Sequence, residues 1–109
     1  YGAEYDYRFI KLFPPLINDK DIAEEIYQSA TAYLNPQNCI RGGQATMAGE
    51  DFAYFSQQVP SALFKLGCRN EELNMIHPIH SPLFDMDERS LKYGVMIFSD
   101  FAMRYLGTV

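Results

Sequence analysis

The stretch Pro60-Ser61-Ala62-Leu63-Phe64-Lys65-Leu66-Gly67 decides the fold class. Residues 62–66 are apolar apart from one lysine and end at a glycine, which suits a short strand covered on both faces. Immediately upstream, Phe52, Phe55 and Val59 fit a short helix that Asp51 can cap and Pro60 stops. Further back, a brief strand is expected around Cys39 and Ile40, and Ile22, Ile26, Ala30, Tyr33 and Leu34 recur at helical spacing after the capping pair Asn18-Asp19. Tyr5, Tyr7 and Phe9 alternate with Asp6, Arg8 and Ile10, a period of two that predicts a strand ending at Pro14-Pro15. Downstream, residues 68–85 carry no periodicity. Asp85 or Asp87 then caps a last helix with an apolar stripe of Leu91, Val95, Phe98, Ala102 and Tyr105 or Leu106. Strands alternating with helices belong to the α/β class. Two or three strands leave sheet edges open, so further strands are expected from elsewhere in a longer polypeptide, a reading that the start at Tyr1 also suggests.

Composition narrows the function. The 109 residues are 48% hydrophobic and 21% charged, an ordinary globular balance. No apolar run approaches the roughly 20 residues that span a bilayer, so no membrane partner is expected. The net charge is −5 and the nine basic residues are scattered, which argues against nucleic acid. Cys39 and Cys68 form no metal or disulfide spacing, and as small buried hydrophobes they suit a reducing compartment, taken as the cytoplasm.

Chemistry concentrates in His77-Pro78-Ile79-His80-Ser81-Pro82-Leu83-Phe84-Asp85, which holds both histidines of the chain. Prolines stiffen the loop by fixing φ and removing backbone donors. Imidazole is the commonest metal-binding side chain and the usual base near neutrality. The plain alternative is two surface histidines in a polar loop. A second candidate is Met47-Ala48-Gly49-Glu50-Asp51-Phe52, where glycine lets the backbone approach a ligand and two acids open a helix. One acid can cap while the other faces a cleft. No phosphate-cradling loop, GxSxG elbow or dinucleotide fingerprint is present.

Taken in order, Phe13-Pro14-Pro15-Leu16-Ile17-Asn18-Asp19, Met47 to Phe52, Pro60 with Leu66-Gly67, His80-Ser81-Pro82-Leu83-Phe84-Asp85 and a helix ending Arg104-Tyr105-Leu106 resemble the carboxy-terminal part of the metal-dependent amidohydrolases and peptidases that include hippurate hydrolase, aminoacylase and acetylornithine deacetylase. The resemblance implies a partial catalytic domain of a zinc-peptidase-like α/β fold plus the last strand of an inserted lid, which often mediates homodimerisation. Residues 1–15 would be the end of the lid and the hinge, and residues 16–109 the end of the catalytic domain. His80 matches a family metal ligand, Glu50 and Asp51 match a loop bordering the substrate cleft, with Glu50 facing it beside Gly49, and His77 carries no transferable role. The family holds two divalent ions, commonly zinc, with manganese, nickel or cobalt as substitutes. These ions lower the pKa of a bound water and polarise the amide carbonyl beside a glutamate base.

That base and the remaining ligands belong to a part of the family pattern that precedes the lid and is not in this chain. No catalytic residue is therefore expected here, and the segment alone is expected to be inactive. The complete protein is expected to hydrolyse N-acyl amino acids or small peptides. Two alternatives stand beside this: a non-catalytic α/β module that binds a protein through its acidic face, and a family member that has lost its metals.

Overall fold

In the computed structural model, which describes residues 1–107, three α-helices carry the order. Helix α1 runs Lys20–Thr31, α2 runs Phe52–Ser56 and α3 runs Leu91–Tyr105, with single 3-10 turns at Pro36–Asn38 and Glu88–Ser90. As the sequence predicts, the Asp19 carboxylate caps α1, accepting from the amides of Asp21 and Ile22 at 3.0 Å each. Asn35-Pro36 follows the helix, with Asn35 capping the first 3-10 turn. Asp87 caps the second 3-10 turn by accepting from the Arg89 amide, and that turn feeds directly into α3.

Helices α1 and α3 pack together. Ile26 and Ile97 are buried at 9% and 2% exposure, Ser29 is fully enclosed, and the Tyr33 hydroxyl donates across the pair to Asp100 at 3.2 Å. Arg104, one turn along α3, also holds Asp100, and with it the Asp100 carboxyl lies below the ordinary carboxylate range. The α3 face that meets α1 is thus centred on Ile97. The stripe expected to form the core is instead largely open: Leu91, Val95, Phe98 and Tyr105 are 51%, 66%, 61% and 64% exposed. Phe98 meets the ring of Phe64 at 5.2 Å between centroids, while the aromatic contact of Tyr105 is with Phe101 of its own helix, at 5.6 Å.

The strands expected over residues 5–10, around 39–40 and over 62–66 do not form; among the described residues the sole pairing is an isolated antiparallel bridge between Asn70 and Met75. The reason is physical. A helix closes its hydrogen bonds within its own sequence, whereas a strand exists only beside another strand. Residues 62–66 have a partial substitute. The Asn18 side-chain amide both donates to Leu63 O and accepts from Leu63 N, each at 2.9 Å, and Asp19 N donates to Ser61 O at 2.8 Å. Leu66 lies against Gly94 of α3, where a Cβ would come within 3.2 Å of it.

The radius of gyration is 18.6 Å, against about 13 Å for a self-contained domain of this length. Accessible surface is 9600 Å², where about 6,200 Å² is typical for this mass. Residues 1–13 are exposed throughout.

Candidate functional site

The histidine loop has a built base. Asn70 and Met75 exchange backbone hydrogen bonds of 3.0 and 2.8 Å, and Asn70 Oδ1 accepts from Leu73 N at 3.1 Å. Asn70 Nδ2 donates to Asp87 Oδ2 at 2.7 Å, and Asp87 N donates to Cys68 O at 2.9 Å, so both ends of the loop are tied at one place. Arg89 Nε reaches both Asp87 oxygens at 2.8 and 3.0 Å, and its Nη2 donates at 2.6 Å. Arg89, then Asn70, hold the Asp87 carboxyl far below the usual carboxylate range.

Between those ends, Ser81 N donates to Pro78 O at 3.1 Å and Phe84 N to Ser81 O at 3.0 Å, giving two successive turns. His80 sits in the first of them at φ 71°. Left-handed backbone costs an L-residue roughly 1–2 kcal/mol, although histidine enters it more readily than most. His80 is exposed and His77 half-buried.

The Gly49-Glu50 turn opens α2. Glu50 Oε1 accepts from Phe52 N at 3.1 Å, while the Asp51 side chain makes no capping bond. The capping role expected of Asp51 thus falls to Glu50. Asp51 is already helical at φ −71°, ψ −21°, whereas a capping residue normally has extended backbone that aims its side chain back at the free amides. Gly49 lies against the Phe13 ring: a Cβ at Gly49 would fall 2.5 Å from Phe13 Cδ2. The Tyr54 hydroxyl donates to Leu12 O at 2.6 Å, and the Phe13 and Tyr54 rings are 6.4 Å apart. A cavity of about 350 Å³ lies here between Ile10, Leu12, Phe13 and Pro14 on one side and Met47–Gly49 on the other.

The structure therefore brings Gly49 to the predicted hinge but assembles no metal centre from these residues. Among the described residues no three His, Cys, Asp or Glu side chains converge, and one imidazole cannot supply the three or more ligands of a catalytic zinc. The residues present do not by themselves fit a metal ion. His80 offers one exposed donor, and neither histidine lines a cavity described here. A larger cavity of about 510 Å³ at the start of α3 is lined by Cys68, Asp87 and Arg89 among others. Both cysteines are free. The sequence marks Phe13 only as the start of the motif that carries Pro14-Pro15, and it marks neither Asn70 nor Tyr54. Asp87-Glu88-Arg89 was the one available signal for the loop base; nothing local marks Tyr54, whose partner is 42 residues away.

No described helix is long and apolar enough to cross a membrane. An IAA-amino acid hydrolase of Arabidopsis thaliana, ILR1-like 6, is 35% identical over 95 residues, covering 87% of this chain and 20% of its own length. A second, ILR1-like 4, is 31% identical over 94 residues, 86% of this chain and 21% of its own. Thermostable carboxypeptidase 1 of Saccharolobus solfataricus is 29% identical over 106 residues, 96% of this chain and 26% of its own. The chain thus spans about a fifth to a quarter of the length of these relatives. No solved structure matches it. The model of peptidase family M20/M25/M40 matches residues 3–104, nearly the whole sequence and both candidate segments, and the chain belongs to that family.

Proposed function

We propose that the chain is the carboxy-terminal part of a metal-dependent amidohydrolase that cleaves the amide bond of N-acyl amino acids or small peptides. The family match over residues 3–104 carries this reading, and relatives named as IAA-amino acid hydrolases and a carboxypeptidase support amide substrates. Residues 1–15 are the last lid strand and the hinge, and residues 16–109 the end of a zinc-peptidase-like catalytic domain. The lid carries a homodimer contact. Two free cysteines fit a reducing compartment such as the cytoplasm.

In this reading His80 gives its imidazole to one of two divalent ions, zinc by preference, whose other ligands and catalytic base lie outside these residues. The loop tied at Asn70 and Asp87 sets where that imidazole stands. Gly49 and Glu50 border the substrate: Gly49 because it lets backbone come close, Glu50 through the carboxylate edge not used by Phe52 N. The test is metal analysis and hydrolysis of a panel of N-acyl amino acids and dipeptides by the complete protein, with and without a chelator. Metal-dependent release of the free amino acid is expected. A metal-free protein that hydrolyses none of the panel would refute the reading.

A further inference from the structure

We infer that Phe13 and Tyr54 are positioning residues that lock the hinge onto the Gly49-Glu50 turn, so that the lid's position and the shape of the substrate border change together. The inference rests on the proposed function for its enzymatic consequence, but its geometry stands apart from it. Four observations converge. The Phe13 ring occupies the space a side chain at residue 49 would fill, with ring atoms 2.5, 2.8 and 3.3 Å from where a Cβ would stand. The Tyr54 hydroxyl takes the Leu12 carbonyl at 2.6 Å. Tyr54 lies in α2, the helix that the Glu50 carboxylate and carbonyl begin by accepting from Phe52 N and Ala53 N at 3.1 Å each. Pro14 and Pro15 follow at once, and each fixes its own φ and biases the residue before it toward extended backbone.

With the backbone restricted at Phe13 and at both prolines, displacement of residues 1–11 is passed on to Leu12 and Phe13, the two residues held by α2 and its leading turn. Ala53 of α2 is fully buried. A lid movement that withdraws Phe13 frees Gly49 and loosens the first turn of α2; a movement that seats Phe13 fixes it. Sequence gives no hint of this, because Leu12–Tyr54 and Phe13–Gly49 are contacts between distant segments.

The experiment uses the complete protein with Tyr54→Phe, Phe13→Ala, Phe13→Tyr and Gly49→Ala. Hydrogen exchange over residues 49–54 reads the lock without needing activity, and KM and kcat for an N-acyl amino acid read its effect on substrate. Losing one hydrogen bond of ordinary strength should speed exchange and raise KM about threefold in Tyr54→Phe, and losing the ring should do so about tenfold in Phe13→Ala. In Tyr54→Phe and Phe13→Ala metal content and kcat should stay near wild type, and Phe13→Tyr, which keeps the ring, should leave both readouts at the wild-type level. Gly49→Ala should speed exchange in the wild-type background and add nothing to Phe13→Ala, because the added methyl displaces the same ring that Phe13→Ala removes. Wild-type exchange over residues 49–54 in Phe13→Ala would overturn the lock even if the enzyme is active. A fall in kcat and metal content without a rise in KM would equally overturn it, since that marks general structural damage. If no substrate turns over, the exchange data alone decide the lock, and only the functional reading fails.

Discussion

Two substitutions at His80 separate the imidazole from the backbone that carries it. At φ 71°, alanine keeps the left-handed cost of roughly 1–2 kcal/mol that histidine carries, whereas glycine escapes it. Glycine also loosens the unfolded chain, which takes back about 0.4–1 kcal/mol. The net expectation is that His80→Gly is more stable than His80→Ala by about 0.5–1 kcal/mol in the metal-free complete protein. Both variants delete the same donor. Residues that merely support metal ligands change affinity or activity by about 10- to 100-fold, so loss of a direct ligand should exceed about 100-fold in both. Urea unfolding after chelation gives the stability order, and metal titration with amide hydrolysis gives the functional loss. Equal, severe loss in both variants despite their different stabilities supports ligation. Wild-type metal occupancy in His80→Gly, or a loss in His80→Ala that His80→Gly repairs, would refute the ligand role and show that only the loop's shape matters.

The α3 helix should behave as if both its faces are covered in the complete protein. Ile97→Ala should cost about 2–4 kcal/mol as a buried truncation, and Phe98→Ala about 3 kcal/mol despite its 61% exposure here; thermal unfolding showing Phe98→Ala to be neutral would mean that the stripe faces water. Residues 1–109 expressed alone should be expanded or self-associated, because 9600 Å² of surface is far above that of a self-contained chain, and a small-angle scattering radius near 13 Å with a cooperative monomer transition would contradict this. The folded Asp87 carboxyl lies below its unfolded value, so its contribution is complete above about pH 4, the unfolded carboxylate range, and lost as pH falls through the depressed folded value. Asp87→Asn should remove that part of the acid-side decline, and unfolding curves of the two proteins that stay parallel from pH 5 to 2 would count against the Asn70–Asp87–Arg89 tie.

Local signals in the sequence determined the helices. The Asp19 cap, the spacing of Ile22, Ile26 and Ala30, and the Asp87 start of the last helix each act within a few residues, so they operate the same way whatever surrounds them. The family was legible too, since His80-Ser81-Pro82-Leu83-Phe84-Asp85 and Met47-to-Phe52 are short motifs in order. Tertiary structure decided what depends on distant partners. It chose Ile97, not the Val95–Phe98 stripe, as the face that meets α1, and it left residues 62–66 bound to Asn18 instead of paired in a sheet. It gave the capping bond to Glu50 because Asp51 was already helical. It also joined Phe13 to Gly49 and Asn70 to Asp87. Helical hydrogen bonds span four residues and can be read from a window of that size, whereas strand pairing, side-chain packing and loop closure depend on which surfaces meet, which periodicity does not encode.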